Sequence, residues 1–305
     1  LYDKSFDRTD DFPDLVLEKG TRPFTKDGLR IAGGRGLVKL NRYYSLAERL
    51  VRYHVRFSED CRAVFQSDKG DFKAYVDVPA RQISIATNPL IITNVPFLDY
   101  RHDYLVEIHR YYETSSIRVI DLYTGQSAEI SATMDGTGGV GRGAVGKGYF
   151  VGRQYDYYCF GLEKGSSLTI EQICILSEES GLSLLIYGDS ITEPEGYYPR
   201  SDFANSWTQL IMSHIKGPSM SSGRGGTTIK ELLERIKNEL PYIKAKYVMV
   251  TIGTNGGNTE ENLSALVEYI LANGSVPILN NIPCNESGTQ VKENALIEKI
   301  RNKYH

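Results

Sequence analysis

The sequence has little of several residue types that mark specialised classes of protein. Its 305 residues include one tryptophan, four methionines and four cysteines. The cysteines have no C-x-x-C spacing, which argues against a zinc site. No apolar run approaches the length of a membrane span, and the net charge of −3 gives no indication of a nucleic-acid partner. We expect no metal, no cofactor and four buried free thiols, with one disulfide in the N-terminal half as the alternative. The cysteines are Cys61, Cys159, Cys174 and Cys284.

The residues that are abundant are typical of a globular protein. Hydrophobic residues make up 41% and charged residues 24% of the chain, whose 305 residues are enough for two domains. The 21 tyrosines against 10 phenylalanines fit β-structure and sugar-facing surfaces. Because the chain begins at Leu1, we expect a processed form whose signal peptide is gone. An extracellular or periplasmic location is the corresponding prediction, and the oligomeric state stays open.

The N-terminal half has the pattern of β-structure. Residues 1–25 are predicted to be an irregular lead-in, because they are polar and contain two prolines. From residue 26 to residue 177, short strands alternate with turn residues, which predicts an all-β sandwich domain. Segments 104–111 and 117–123 are expected to pair through a turn at 113–116.

A period of two is visible in the last strand of this half. It places four apolar side chains on one face and Thr169 and Glu171 on the other. The four apolar residues are Leu168, Ile170, Cys174 and Leu176. The segments YLVEIHRYYETSSIRVIDLYTG and SLTIEQICI resemble strands of concanavalin A-like (laminin-G-like) sandwiches. This resemblance implies a two-layered antiparallel domain, and a jelly roll is the competing prediction.

Two motifs in the N-terminal half could be mistaken for functional sites. The stretch GRGAVGK at 141–147 matches both G-x-G-x-x-G and G-x-x-x-x-G-K, but Gly148 follows where a Walker loop needs Ser or Thr. A strand pattern also follows where both motifs need a helix, so we interpret the stretch as a glycine-rich loop. His102 and His109 lie near Asp99 and Asp103 in sequence, yet their strand positions favour surface histidines over a metal site or dyad.

The C-terminal half is organised around the stretch LSLLIYGDSIT, residues 182–192. Its apolar start predicts a buried parallel strand, and Gly188, Asp189 and Ser190 then end that strand. Further strands are predicted at 217–223, which runs into a glycine turn, at 247–252 and at 276–282. Helices are predicted between them, with Thr228 and Thr259 as N-terminal caps. This alternation predicts a second domain, residues 182–305, with an α/β doubly wound parallel sheet of flavodoxin-like order.

Three polar or glycine positions follow the strands of this predicted sheet. Ser190 comes after the first strand, Gly223 after the second and Asn255 after the third. Because the carboxyl ends of parallel strands meet at one edge, these residues are expected to lie together. A serine hydroxyl could then act as a nucleophile, and the N–H groups of Ser190 and Gly223 with the Asn255 amide could bind an oxyanion.

The same positions resemble the conserved blocks of the SGNH, or GDSL, hydrolases. GDSIT carries Ser190, SSGRGGTT carries Gly223 and GTNG carries Asn255, and the three blocks occur in family order. The resemblance implies a catalytic set of Ser190, Gly223 and Asn255. Two departures are Gly256, where the family usually has Asp, and the absence of Asp-x-x-His after Ser190. We therefore expect that the domain is incomplete at the C-terminus and that its general base is missing.

The function implied by this resemblance is that of a serine esterase. Ser190 would form an acyl-enzyme, with an O-acetyl ester on a carbohydrate as the preferred substrate. A lipid or short-chain acyl ester is the first alternative. The second alternative, from another class of protein, is a catalytically inactive SGNH domain that acts as a carbohydrate-binding module. The expected partner is a small ester or acylated carbohydrate, without nucleic acid.

Overall fold

A large antiparallel sheet accounts for most of the strands. The computed structural model describes residues 1–6, 13–21, 24–25, 28–44, 48–68, 72–87, 89–111, 114–133, 157–193, 204–284, 286 and 288–304. In these ranges the antiparallel sheet has 14 strands. They are β1 (Tyr2–Ser5), β2 (Leu15–Thr21), β3 (Phe24–Thr25), β4 (Gly28–Leu40), β5 (Glu48–Phe57), β6 (Arg62–Ser67), β7 (Lys73–Asp77), β8 (Gln82–Ile85), β9 (Ile91–Asn94), β10 (Asp103–Tyr111), β11 (Thr114–Asp121), β12 (Ser127–Thr133), β13 (Tyr158–Lys164) and β14 (Ser167–Leu176).

The sheet folds over on itself. Its strand order is β12-β11-β10-β5-β14-β4-β13-β6-β7-β8-β9, with β1 paired to β14, and β2 and β3 paired to β4. Strand β12 contacts β8 and β9, so the two ends of the sheet face each other across a core. This arrangement gives the two layers of a β-sandwich.

Strand β4 takes part in both layers. Its first half, at Leu29 and Ile31, pairs with β14, and its second half, at Leu37 and Val38, pairs with β13. The two halves are separated by Gly33 and Gly34, whose φ angles are 94° and 87°. Only glycine adopts such angles without strain, so the glycine pair allows the strand to bend between layers.

The alternation of side chains along β5 explains where the core lies. Val51, Tyr53, Val55 and Phe57 are buried, while the residues between them point to the outer face. The ring of Tyr53 lies 4.9 Å from that of Phe65 and 5.4 Å from that of Phe160, measured between centroids. Burying each such side chain contributes about 1.5–3 kcal/mol to stability.

A bulge in β14 changes the face predicted for half of that strand. Leu168 and Ile170 are buried as expected, but Ile173 and Ile175 are the other buried residues rather than Cys174 and Leu176. The pairing of β14 with β5 shifts by one residue between Ile170 and Gln172. One extra residue exchanges the two faces of everything that follows. The predicted face was therefore wrong after Ile170.

The hairpin predicted in the N-terminal half is present but tighter than expected. Strand β10 pairs with β11 from Tyr104 opposite Asp121 to Tyr111 opposite Thr114. Residues 114–116, predicted as part of the turn, belong to β11. The lead-in at 1–25, predicted to be irregular, contains β1, β2 and β3. Short polar strands such as β1 form because a partner strand completes their hydrogen bonds.

A second, smaller sheet is parallel and has four strands in the order β16-β15-β17-β18. Four helices alternate with these strands along the chain. The elements are β15 (Leu182–Gly188), α1 (Trp207–His214), β16 (Ser219–Gly223), α2 (Ile229–Ile243), β17 (Ala245–Thr251), α3 (Glu260–Ala272), β18 (Val276–Leu279) and α4 (Gln290–Lys303).

The predicted helix caps at Thr228 and Thr259 are confirmed. The Thr228 backbone N–H donates to the Glu231 carboxylate at 2.8 Å, which is half of the capping box. The Thr259 hydroxyl accepts a hydrogen bond from the Asn262 N–H at 3.1 Å. These contacts satisfy backbone N–H groups that the first turn of a helix leaves free.

The predicted fold class is nevertheless wrong. The described residues are mostly β, with 14 antiparallel strands against four parallel ones, and no SGNH-type α/β domain is indicated. The alternation of strands and helices after residue 182 correctly indicated individual elements. The sequence pattern did not indicate how many strands each sheet has, because β1, β2 and β3 lie in a segment that was predicted to be irregular.

The described residues form two compact units. The antiparallel unit contains the described residues of 1–42, 48–133 and 157–178, and the parallel unit contains 43–44 and 179–304. The domain boundaries 26–177 and 182–305 stay a prediction. All four cysteines are free, as expected. However, Cys174 is half-buried and Cys284 is exposed, so the prediction that all four are buried was wrong.

Candidate functional site

The three residues predicted to form a site lie at one edge of the parallel sheet. Gly223 ends β16 and pairs with Gly188, the last residue of β15. Ser190 follows two residues later, and Asn255 follows the end of β17. Gly188 also pairs with Thr251, which places the ends of the three strands side by side. The roles assigned to Ser190, Gly223 and Asn255 stay predictions.

Local contacts at this edge explain the glycine at position 223 and the asparagine at position 255 without a catalytic role for either. A side chain at Gly223 would place its Cβ 2.2 Å from the Glu193 nitrogen and from the Thr192 carbonyl carbon, so only glycine fits there. The amide Nδ2 of Asn255 donates to the Thr227 carbonyl oxygen at 3.0 Å. Glycine at a close approach and Asn bonded to a backbone carbonyl are ordinary features of turns.

The surroundings of Ser190 do not supply a base from the described residues. Among these, no histidine is hydrogen-bonded to the half-buried Ser190. His214 lies exposed at the end of α1, where its Nδ1 is 2.8 Å from the Leu210 carbonyl oxygen. Burial raises the pKa of the neighbouring Asp189, and hydrogen bonds from Ile191 and Thr254 oppose that effect. His305 and the glycine-rich loop at 141–147 lie outside the described residues.

A polar pocket lies in the antiparallel unit. Its volume is about 270 Å³, and the loop between β9 and β10 forms one side. The residues that line it are Glu59, Val78, Pro79, Arg81, Leu98, Asp99, Tyr100 and Arg101. Tyr100 is 45% exposed, so a large part of its ring is open to a ligand. No motif in the sequence predicted this site, although three polar or aromatic residues in succession, DYR, were a signal for it.

Hydrogen bonds to a buried tyrosine, Tyr104, hold the loop that carries Tyr100. The hydroxyl of Tyr104 accepts a hydrogen bond from the Asp99 N–H at 2.6 Å and lies 3.0–3.1 Å from two loop carbonyl oxygens. Arg101 forms a bidentate ion pair with Asp99, with Nε at 2.8 Å from Oδ1. These hydrogen bonds lower the pKa of Asp99 and keep its carboxylate ionised.

His102, which follows this loop, is bonded to neither Asp99 nor Asp103. Its Nδ1 lies 2.8 Å from Oδ2 of Asp121, a fully buried carboxylate at the end of β11. Asp121 also accepts hydrogen bonds from the N–H groups of Tyr123 and Thr124, at 2.8 Å and 3.2 Å. Burial raises the pKa of Asp121, but these hydrogen bonds, led by that from His102, lower it overall.

The outer face of the antiparallel sheet carries a ladder of alternating charges. Glu129, Arg118, Glu107 and Arg52 lie opposite one another on four neighbouring strands. Arg52 approaches Glu107 to 2.6 Å, and Arg118 lies 3.9 Å from the same carboxylate. Opposite charges in direct register stabilise strand pairing by about 0.2–1 kcal/mol each.

Two clusters of histidine and carboxylate side chains lie on this outer face. The first consists of Glu48, His109 and Glu178, and the second of His54, Asp103 and Glu171. The nearby Glu48 carboxylate raises the pKa of His109, and burial opposes that rise. Burial raises the pKa of Glu48, but contacts with His109 and Ser177 lower it overall. His109 is near Asp99 and Asp103 in sequence, but the carboxylate that lies 3.6 Å from its Nε2 is that of Glu48, from another strand.

Comparison with known proteins gives structural neighbours only. No family model and no curated protein matches the chain. The VIP36 exoplasmic/lumenal domain in its Ca²⁺-bound form has a TM-score of 0.41 and 10% identity, covering 54% of this chain and 84% of its own. Lectin II from Ulex europaeus has a TM-score of 0.42 and 10% identity, covering 58% and 97%. Carbohydrate binding module CBM66 from Bacillus subtilis has a TM-score of 0.36 and 9% identity, covering 54% and 96%.

These findings correct the predicted family and activity. The structural neighbours named above are the VIP36 domain, a lectin and a carbohydrate binding module, and none of these is named as a hydrolase. The predictions that the chain is an SGNH/GDSL hydrolase and a serine esterase are therefore wrong. Turn chemistry at Gly223 and Asn255 provides the physical reason, because it reproduces sequence blocks that resembled catalytic ones. In the described ranges, no helix combines the length and the apolar character needed to cross a bilayer.

Proposed function

We propose that this protein binds carbohydrate, and that a sugar ring occupies the pocket beside Asp99, Tyr100 and Arg101. The observation that carries the proposal is this polar pocket of about 270 Å³ with an exposed tyrosine at its side. Pockets for drug-sized ligands measure about 300–1,000 Å³, so this one suits a single ring better than a larger ligand.

Hydrogen-bonding capacity in the pocket supports a ligand rich in hydroxyl groups. An ionised carboxylate offers about four acceptor positions and a guanidinium five N–H donors. The ion pair between Asp99 and Arg101 uses only part of this capacity. Neighbouring hydroxyls of a sugar can each donate and accept, so they match a carboxylate and a guanidinium that are held side by side.

The exposed ring of Tyr100 is a second reason to expect a carbohydrate ligand. A sugar ring has a face of C–H groups that packs against an aromatic ring, and tyrosine adds a polar hydroxyl at its tip. The loop is fixed by Tyr104, which reduces the ordering that binding would otherwise require. A preformed, half-exposed ring above a polar pocket therefore suits a sugar.

Removal of the Tyr100 ring tests this proposal. We expect Tyr100→Ala to weaken binding of the best glycan by about tenfold, corresponding to about 1.4 kcal/mol. Mannose and Man₃GlcNAc, named with VIP36 structures, are suitable first ligands before a wider glycan array, with affinity measured by calorimetry. Tyr111→Ala is the matched control, because Tyr111 is 47% exposed but does not line the pocket. Equal binding by wild type and Tyr100→Ala, or no binding to any glycan, would contradict the proposal.

The finer predictions about ligand and location belong to the same proposal. If the ligand is an acylated carbohydrate, a partly O-acetylated glycan should bind more tightly than its deacetylated form. An extracellular or periplasmic location would bring the protein to such glycans. Cell fractionation with an antibody to the chain checks this location, and a purely cytosolic signal would contradict it.

A further inference from the structure

One cluster on the outer face of the antiparallel sheet has the geometry of a metal site. Glu48 begins β5, His109 lies on the adjacent β10, and Glu178 follows β14 on the other side of β5. The His109 Nε2 atom lies 3.6 Å from Oε1 of Glu48 and 3.9 Å from Oε2 of Glu178. Three side chains, two from adjacent strands and one from the segment after β14, therefore converge on one point.

Two of these atoms are buried without a hydrogen bond. Glu48 is 1% exposed, and its Oε2 accepts hydrogen bonds from the Ser177 hydroxyl at 2.5 Å and the Glu178 N–H at 3.2 Å. Its Oε1 and the His109 Nε2 are buried and have no hydrogen-bond partner among the described residues. Leaving such groups unsatisfied is costly, and native structures seldom do so. A bound cation would satisfy both atoms at once.

We propose that Glu48, His109 and Glu178 bind a divalent transition-metal ion of the zinc class. An imidazole nitrogen with two carboxylate oxygens is a zinc ligand set, and water completes the tetrahedron. Bond lengths of about 2.0–2.2 Å require ligand atoms about 3.3–3.5 Å apart. The observed separations are slightly larger, and Glu178, whose side chain is 64% exposed, can rotate to close them.

The charge of the cluster favours a cation. Two carboxylates face the point of convergence, and the Arg49 guanidinium lies 3.9 Å from the other oxygen of Glu48, Oε2. That oxygen is the one already bonded to Ser177, which leaves Oε1 as the oxygen nearer to His109. A neutral imidazole is the form that binds metal.

In the second cluster, which consists of His54, Asp103 and Glu171, an arginine offsets the negative charge of the carboxylates. This cluster therefore provides a matched control. There, Arg56 contacts both Asp103 at 3.1 Å and Glu171, so a guanidinium already occupies the position of a cation. The Nδ1 atom of His54 lies 3.2 Å from Glu171, and both carboxylates beside His54 are already paired with Arg56. We therefore expect His54 to contribute nothing to metal binding, although two carboxylates lie beside it as well.

The experiment measures zinc binding by the full chain after treatment with a chelator. Calorimetry and elemental analysis should show one saturable equivalent of Zn²⁺ in the wild type. His109→Gln and Glu48→Gln should weaken it by at least about 100-fold, because even outer-shell groups are worth about 10–100-fold. His54→Gln should bind zinc like the wild type. Ca²⁺ and Mg²⁺, which need more oxygen ligands, should not saturate the site.

Several outcomes would overturn the proposal. These are no saturable zinc in the wild type, unchanged affinity in His109→Gln, loss of binding in His54→Gln, or tighter binding of Ca²⁺ than of Zn²⁺. In the first case, Glu48 and His109 form a plain ion pair. If His109→Gln fails to fold, Glu178→Gln decides the question, since an exposed carboxylate can be replaced without disturbing the core. The inference does not rest on the proposed carbohydrate pocket, which shares none of these residues.

Discussion

Asp121 shows how a single buried residue can organise a turn that the sequence did not reveal. Its carboxylate accepts hydrogen bonds from His102, Tyr123 and Thr124, which fixes the tip between β11 and β12. The sequence pattern placed Asp121 inside a strand, where its neighbours gave no sign of burial. Its partner His102 is 19 positions away. Such pairings depend on strand register, and a local pattern does not contain that information.

The lowered pKa of Asp121 predicts an acid-dependent loss of stability. A carboxylate whose pKa is lower in the folded state stabilises the fold above its unfolded pKa of about 3.9. This contribution is lost as pH falls through the folded-state pKa. At pH 7, Asp121→Asn should cost about 1.5–3 kcal/mol, typical of hydrogen bonds to a charged group. Urea unfolding between pH 3 and pH 7 should show a shallower pH dependence in the variant, and parallel curves would contradict the assignment.

The bulge in β14 shows, for a whole strand, that pairing register is not contained in a local sequence pattern. The period of two correctly predicted a strand over its whole length, and the buried face was correct for Leu168 and Ile170. The extra residue beyond Ile170 then exchanged the faces. A bulge is set by pairing with β5 and leaves no mark in hydrophobic periodicity. Element identity was therefore readable from sequence, whereas register was not.

The core of the antiparallel unit predicts a large effect for one aromatic residue of β5. Tyr53→Ala removes a ring packed against Phe65 and Phe160. We expect a loss of about 3–5 kcal/mol in the free energy of unfolding, from lost transfer energy and the remaining cavity. Tyr111→Ala, on the outer face of neighbouring β10, should change it by no more than about 0.5 kcal/mol. Similar losses in the two variants, measured by chemical denaturation, would refute this account of the core.

At the scale of the whole molecule, the sequence indicated a β-rich first half and strand–helix alternation in the second. It did not indicate β1, β2 and β3, because these segments form strands only by pairing with β14 and β4. The predicted site also depended on whole-chain information. Ser190, Gly223 and Asn255 were correctly expected at one sheet edge, but the Tyr100 pocket required the loop geometry set by Tyr104. Sequence resemblance alone led to the wrong activity.

Net charge gives a prediction for the molecule in solution. The sequence isoelectric point is about 6.0, and the net charge is −3 at pH 7. Repulsion between molecules is weakest where net charge is zero. Solubility in low salt should therefore pass through a minimum near pH 6.0 and recover at pH 8. A turbidity series across this range checks the expectation, and a minimum displaced by more than one pH unit would count against it.

The position of β14 also has a consequence for the newly made chain. β14 lies between β5 and β4, and β1 pairs with its residues as well. As a ribosome extends the polypeptide from its N-terminus, these three earlier strands emerge more than a hundred residues before the one that joins them. Until Leu176 has left the ribosome, they have unpaired edges of the kind that attract other chains. The long sequence separation of these pairings also makes folding slow. The antiparallel unit is therefore a natural client for chaperones that bind nascent chains.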